Sequence, residues 1–242
     1  MKSSNEQLKS RGYINVKDTN DYAHFSKNEL LELLKSKEAY KRTIGINLLS
    51  NEGELNNEMI NLFCNMLLHE KKLYAKIELC NALSKASIES AKIMVNYLGV
   101  IGNNQYTELP NKEFNKKSYP LPRDIIARTL AHMSVEVLSE LMVVLKTNNI
   151  IAIREAIDAI GFICFYNQNC YGKSILEDLI LCFNQYIDDD IVRWKIVRAF
   201  ESFDNKVVLD ILMNIEENDN KLTIRQEAKR SLNIISGRIS CL

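Results

Sequence analysis

Apolar residues recur at helical spacing along most of this chain, and one short pattern occurs six times. A basic residue opens most copies, a compact residue often follows three positions later, and an apolar residue closes the copy seven positions after its opening. The copies occupy residues 41–49, 74–83, 122–130, 152–161, 191–200 and 223–232. Apolar residues at such intervals form one face of an α-helix. The pattern therefore predicts six related helices.

The intervals between the copies indicate a repeat architecture. The opening residues are Arg42, Lys76, Arg123, Ile153, Arg193 and Arg225. They lie 34, 47, 30, 40 and 32 residues apart, and all intervals but the second fit a repeat of two helices. Each such repeat buries its apolar face only against its neighbours. We therefore expect an all-α fold, an α-solenoid (superhelix) of about six antiparallel helix pairs.

The resemblance of these copies to a known class rests on two details. The residue before the closing position is small from the second copy onward, which lets helices approach closely, and DDDIVR precedes the fifth copy at 188–193. The pattern resembles the HEAT-repeat family of armadillo-type helical repeats, including the short bacterial variants found in phycobilin lyase subunits. The resemblance covers about residues 26–237. It implies the solenoid, but scaffolds, adaptors, lyases and a few DNA-repair enzymes share it.

The organisation predicted along the chain has two parts and one interruption. Residues 1–25 are polar without a clear period, and we expect a polar N-terminal arm or capping element. Residues 26–242 are predicted to form a single HEAT-like solenoid. The long second interval places an insertion at 99–124, which holds all three prolines and three lysines. Long loops of this kind often carry function, although insertion without function is also tolerated because the entropy of loop closure grows slowly with length.

Composition and charge limit the possible partners. Apolar residues make up 46% and charged residues 26% of the chain, which excludes disorder of the whole chain. Basic and acidic side chains both number 31, so no overall field attracts nucleic acid or an anionic membrane. No secretory signal core and no apolar run of about 18 residues occurs. We expect a cytoplasmic protein without a membrane partner, with its six cysteines as buried thiols.

Arginines supply the main candidate binding chemistry. Eight of the ten arginines follow residue 122, and seven of these lie in the predicted second helices, which line the concave face of such arrays. If this face is open, Arg154, Trp194 and Arg198 form an aromatic and cationic spot there, Trp194 and Arg198 being one helical turn apart. The alternative is that Trp194, a lone tryptophan in a helical protein, belongs to the core. Alternatively, the opening arginines Arg123, Arg193 and Arg225 bridge neighbouring repeats through turn carboxylates and carbonyls. The predicted partner-binding residues are Arg128, Arg154, Asp158, Trp194, Arg198, Arg230, Lys116, Lys117 and Tyr119.

Catalytic patterns are not found in the sequence. The three histidines lie far apart, and no zinc pair, glycine-rich phosphate loop or serine nucleophile elbow occurs. The resemblance includes DNA glycosylases that use aromatic and acidic residues in a basic groove, but here the residue four after the single tryptophan is Arg198. We therefore expect a non-catalytic scaffold or adaptor without a cofactor, which binds a protein or peptide. The alternative is a DNA glycosylase-like or phycobilin-lyase-like protein with its site in the same groove.

Overall fold

Helices account for all the regular structure that a computed structural model of the chain describes. The described residues are 4–112, 114–168 and 172–239, and within them no strand occurs. The prediction of an all-α fold is confirmed. Contacts between Cα atoms divide the chain into two compact units, residues 1–94 and 95–242.

The first unit contains seven α-helices in its described part. They are α1 (Asn5–Ser10), α2 (Val16–Asn20), α3 (Lys27–Leu33), α4 (Ala39–Asn51), α5 (Asn57–His69), α6 (Leu73–Ser84) and α7 (Ile88–Met94). The first two copies of the repeated pattern lie on α4 and α6, which pack together. The predicted N-terminal arm or capping element contains α1 and α2, which Ser4 and Asn15 cap and which both contact α4.

The second unit contains seven further α-helices in its described part. They are α8 (Ile125–Ala131), α9 (Leu138–Leu145), α10 (Ile150–Tyr166), α11 (Ser174–Gln185), α12 (Asp190–Ala199), α13 (Lys206–Asn218) and α14 (Leu222–Ile239). Short 3₁₀ turns lie at Val95–Tyr97, Val135–Val137 and Phe200–Ser202. The last four copies of the pattern lie on α8, α10, α12 and α14, except that residues 122–124 of the third copy precede α8.

These four helices pack against one another in chain order, α8 on α10, α10 on α12 and α12 on α14. We call them the inner helices. The small residues before the closing positions are buried where inner helices meet, as Ala159 and Ala199 show. Ser231 also donates its hydroxyl to the carbonyl oxygen of Val197, 3.0 Å away. The intervening α9, α11 and α13 pack on α10, α12 and α14 respectively, which gives these three inner helices a second helix against which to bury apolar side chains.

Polar side chains cap the starts of α10 and α12. The side chain of Asn149 accepts from the amide of Ala152 at the start of α10. A carboxylate oxygen of Asp189 accepts from the amides of Ile191 and Val192 at the start of α12, at 3.1 and 2.9 Å. Such caps satisfy amides that have no partner within the helix.

The predicted insertion at 99–124, here called the 99–124 loop, contains no helix in its described residues. Buried Asp124 holds its two ends together. One carboxylate oxygen accepts from the amide of Ala127, and the other accepts from the amide of Gly99 and from Gln105 Nε2, at 3.2 and 2.7 Å. Gly99 has a φ of +74°, and a Cβ atom on it would overlap Ile151, so this turn requires glycine.

None of the described helices is both long and apolar enough to cross a membrane.

Candidate functional site

The 99–124 loop lies across the inner helices of the second unit. The ring of Tyr106 meets the ring of Trp194 edge to face at 4.9 Å between centroids, and Phe114 lies under the guanidinium groups of Arg198 and Arg230, at 5.7 and 4.9 Å. Aromatic and cation–π contacts of this kind stabilise packed surfaces. The face on which we predicted partner contacts is therefore covered in part by the chain itself.

Trp194 and Arg198 form the predicted aromatic and cationic pair, but beneath the surface. The Arg198 guanidinium lies 4.0 Å from the Trp194 ring, and the two side chains are only 1% and 4% exposed. Both bind Glu227. The indole nitrogen donates to it at 2.9 Å, and Arg198 donates through two nitrogens at 3.1 and 2.7 Å. The expectation that this spot faces an open groove is corrected, because the 99–124 loop covers it.

Arg230 connects the loop to this buried network. It pairs with Glu201 and Glu227, and it donates to the backbone carbonyls of Lys116 and Ser118 at 2.9 and 3.3 Å. Burial raises the pKa of Glu201 to about 7, although the charge of Arg230 acts in the opposite direction. One arginine thus serves both a buried carboxylate and the backbone of the loop.

A second buried ion cluster centres on Lys195, which the sequence analysis did not select. Its Nζ lies 2.9 Å from a carboxylate oxygen of Glu155 and 2.9 Å from one of Asp158, and it donates to the carbonyl of Arg154. Lys195 is wholly buried. Burial raises the pKa of Glu155 to about 7, against the effect of Lys195. Asp158, a predicted partner-binding residue, is therefore paired with Lys195 inside the second unit.

The charged residues that the sequence analysis missed share one position of the repeat. Glu155, Lys195 and Glu227 each stand two residues after the opening position of their copy. A column of charges of alternating sign between apolar neighbours is a signal that alignment of the copies could have provided. Glu201 lies outside the copies and had no such signal.

Arg154 belongs to a series of ion pairs, each of which links an arginine on one helix of the stack to a carboxylate in the turn before the next. It pairs with Asp189, the cap of α12, at 2.6 Å. Arg193 pairs in the same way with Asp219 before α14, and Arg42 pairs with Glu70 before α6 in the first unit, at 2.8 Å. Of the three opening arginines predicted to bridge neighbouring repeats, Arg193 does so in this way. Arg42 and Arg154, which the prediction did not include, form the same kind of pair.

The other predicted residues have different positions. Arg128 is exposed and donates to the carbonyl of Pro122 at 2.8 Å. Arg123 stacks over the ring of Tyr106 at 4.3 Å and so departs from the predicted bridge. Tyr119 is buried beside Phe162 and Phe165. Lys116 and Lys117 are exposed.

An open cleft of about 740 Å³ lies between residues 110–117 and α14. Its apolar lining includes Phe114 and Ile234. The basic side chains that line it are Lys112, Lys116, Lys117, Lys229, Arg230 and Arg238. Glu227 is the only carboxylate in the lining among the described residues, and it is already paired with Arg198 and Arg230. This cleft is the part of the site that a partner can reach, and clefts of this volume hold small ligands or peptide side chains.

Nucleophilic and metal chemistry gains little support from the described side chains. Burial raises the pKa of the Cys64 and Cys182 thiols to about 12 and about 11, and it also raises the pKa of Cys164. A thiol with a raised pKa is a poor nucleophile at neutral pH. No group of three or more His, Cys, Asp or Glu side chains that could hold a metal occurs among the described residues. Cys170 and Cys241 lie outside them.

Comparison with known proteins gives no family. No family model and no curated protein matches the chain. Among solved structures, the crystal structure of an engineered protein is similar at 16% sequence identity and a TM-score of 0.37, over 88% of this chain and 99% of that chain. A likeness at this level establishes neither a fold nor a function.

Proposed function

We propose that this chain is a non-catalytic adaptor of the HEAT-like solenoid class, which binds a peptide segment of a partner protein in the cleft between residues 110–117 and α14. The observation that carries the proposal is the cleft itself, an open volume of about 740 Å³ with an apolar wall and a basic rim. Pockets that combine apolar walls with a few polar groups are the usual binding sites of proteins.

The repeat class is supported by two regularities within the units. Inner helices pack on one another in chain order, and an arginine on α10 or α12 pairs with a carboxylate in the turn before the next inner helix. Arg42 on α4 pairs in the same way before α6. Stacks of this kind present extended surfaces to partners. Of the described cysteines, Cys64, Cys164 and Cys182 are free and buried, which agrees with a reducing compartment and with a cytoplasmic location. Cys80 is only half-buried, so the expectation of buried thiols does not hold for it.

The enzyme alternative, with a glycosylase-like or lyase-like site in the same groove, is less well supported. It calls for an exposed Trp194 in a continuous positive surface. Trp194 is buried instead, and the carboxylates of Asp158 and Glu227 lie among the basic groups. Of the predicted contact residues, Lys116, Lys117 and Arg230 line the cleft, and so does the edge of the buried Trp194. Arg198 lies against the loop residue Phe114, and Tyr119 belongs to the loop itself.

A selection from a random peptide display library tests the proposal. The full chain should enrich peptides that Asn233→Trp no longer binds, because Asn233 is exposed and lines the cleft. The matched control is Asn184→Trp on α11, which is exposed outside the cleft and should retain the peptides. Failure to enrich any peptide would reject peptide binding. Equal enrichment by Asn233→Trp would show that the peptides bind outside the cleft, which also rejects the proposal.

A further inference from the structure

The charge of the cleft identifies the kind of peptide that fits it. Resting on the proposed function, we infer that the cleft binds an acidic segment, an extended peptide that carries carboxylates beside an apolar side chain. Six basic side chains line the cleft against one carboxylate among the described residues, Glu227. Glu227 accepts from Trp194 and pairs with Arg198 and Arg230, so its charge is compensated before a ligand arrives.

The lysines of the rim are available for an external anion. Lys112, Lys116, Lys117 and Lys229 are exposed, and none of them forms an ion pair with another described residue. By contrast, Arg230 is committed to Glu201, Glu227 and the loop backbone. Four ammonium groups without an ion-pair partner among the described residues form a local positive field around the cleft, which favours carboxylates.

An apolar wall accompanies the charges. Phe114, Pro110 and Ile234 line the cleft, so it offers a surface to a leucine-sized or aromatic side chain as well as to acids. Buried apolar contact supplies affinity, while exposed charge pairs mainly supply selectivity and speed of association. A segment that alternates acidic and apolar residues satisfies both features.

A peptide fits these charges better than a nucleic acid does. Residues 95–242 together carry 17 basic and 19 acidic side chains, so the second unit as a whole has no net positive charge. A phosphate backbone that extends beyond the cleft would meet this acidic surplus, whereas a short peptide contacts only the lysine rim. Binding of a polynucleotide depends on many phosphate contacts along a basic stripe.

Fluorescence anisotropy with three labelled probes tests the inference on the full chain. The probes are a short peptide of alternating Glu and Leu, its twin with Gln at every Glu, and a single-stranded oligonucleotide of thymidines. The acidic peptide should bind at least about tenfold more tightly than its twin, with an affinity that falls as salt rises. Lys116→Gln with Lys117→Gln should remove most of that preference. The control pair, Lys173→Gln with Lys206→Gln, changes the same charge at exposed positions outside the cleft and should preserve it.

The outcomes separate this inference from the proposed function. Equal binding of the acidic peptide and its glutamine twin, or no binding of the acidic peptide, overturns the acidic preference. Peptides enriched by display and blocked by Asn233→Trp would leave the proposed function standing in that case. If the oligonucleotide binds more tightly than the acidic peptide, and Lys116→Gln with Lys117→Gln weakens that binding, the ligand of the cleft is a nucleic acid and the inference is wrong. Loss of binding in the control pair as large as in the cleft pair would show that net charge, not the cleft, governs binding.

Discussion

The hydroxyl oxygen of Tyr119 occupies the space where any residue other than glycine at position 161 would place its Cβ atom. Tyr119, 3% exposed, reaches this space from the 99–124 loop, and Gly161 lies on α10. The hydroxyl of Ser202 donates to the Gly161 carbonyl at 3.0 Å. A glycine in the middle of a helix costs stability, and here that glycine provides a socket that fixes the end of the loop.

Gly161→Ala should displace Tyr119 and loosen the loop. Overpacking of a filled site costs about 1–3 kcal/mol, which exceeds the gain of about 1 kcal/mol expected from replacing a helical glycine. The variant should therefore unfold at lower urea concentration, and trypsin should cleave faster after Lys116 and Lys117. Gly237→Ala is the matched control, because its new Cβ atom meets nothing within 4 Å. Equal stabilisation by both substitutions would contradict the socket.

Tyr119→Phe should leave the fold intact and stabilise it. The Tyr119 hydroxyl is buried and has no hydrogen-bond partner among the described groups, and burial raises its pKa well above the ordinary value. Removal of an unsatisfied buried hydroxyl should raise the free energy of unfolding by about 1 kcal/mol. Tyr166→Phe is the control, since that hydroxyl is exposed and contacts the Tyr119 carbonyl only at 3.5 Å. A loss of stability in Tyr119→Phe would reveal a bridging water.

Helices and their caps were predictable because both are encoded locally. The six copies lie largely on helices, and Asn149 and Asp189 cap the helices that follow them, since a cap acts within three residues of itself. The division of contacts near residue 94 had no local signal. The prediction of one continuous solenoid over residues 26–242 stays a prediction.

The candidate site was predictable only in part. Helical spacing brought Trp194 and Arg198 together on one face, as the structure shows. Their exposure depends on Phe114 and Tyr106, which are far away in sequence and lie in a loop without periodicity. Whether a helix face meets solvent or a distant loop is a property of tertiary packing. The cleft beside Phe114 could not be predicted for the same reason.

Arg198→Ala should destabilise the protein strongly. It leaves the buried carboxylate of Glu227 with less compensating charge, and breaking a buried pair costs about 3–5 kcal/mol. Arg154→Ala should cost about 1 kcal/mol or less, because its pair with Asp189 is partly exposed. Urea unfolding of both variants measures the difference. If Arg198→Ala were as stable as the original chain, Arg198 would again be a candidate for partner contact.

A double substitution separates the loss of a charge partner from the loss of packing. Arg198→Met with Glu227→Gln removes both charges, while the glutamine oxygen can still accept from the Trp194 indole. The double variant should be more stable than Arg198→Met alone, because no buried charge is left without its partner. Additive losses from the two substitutions would show that Arg198 and Glu227 act independently.

Glu201 should make stability depend on pH near neutrality. Burial raises its pKa to about 7 from an ordinary value of 4.5, so the folded chain holds this proton at a pH where the unfolded chain has released it. The stability that Glu201 contributes is complete below pH 4.5 and is lost as the pH rises to about 7. The free energy of unfolding of the original chain should therefore fall between about pH 5 and pH 8. In Glu201→Gln this fall should be smaller by on the order of 1–3 kcal/mol.

Urea unfolding of Glu201→Gln across that pH range provides the measurement, and exposed Glu217→Gln provides a control that should retain the original dependence. Glu155, whose pKa is also raised to about 7, should leave a residual slope in the variant. Glu227 has a lowered pKa, so the stability it contributes is lost only in stronger acid and does not enter this range. An unchanged slope in Glu201→Gln would mean that Arg230 keeps Glu201 ionised in the folded chain.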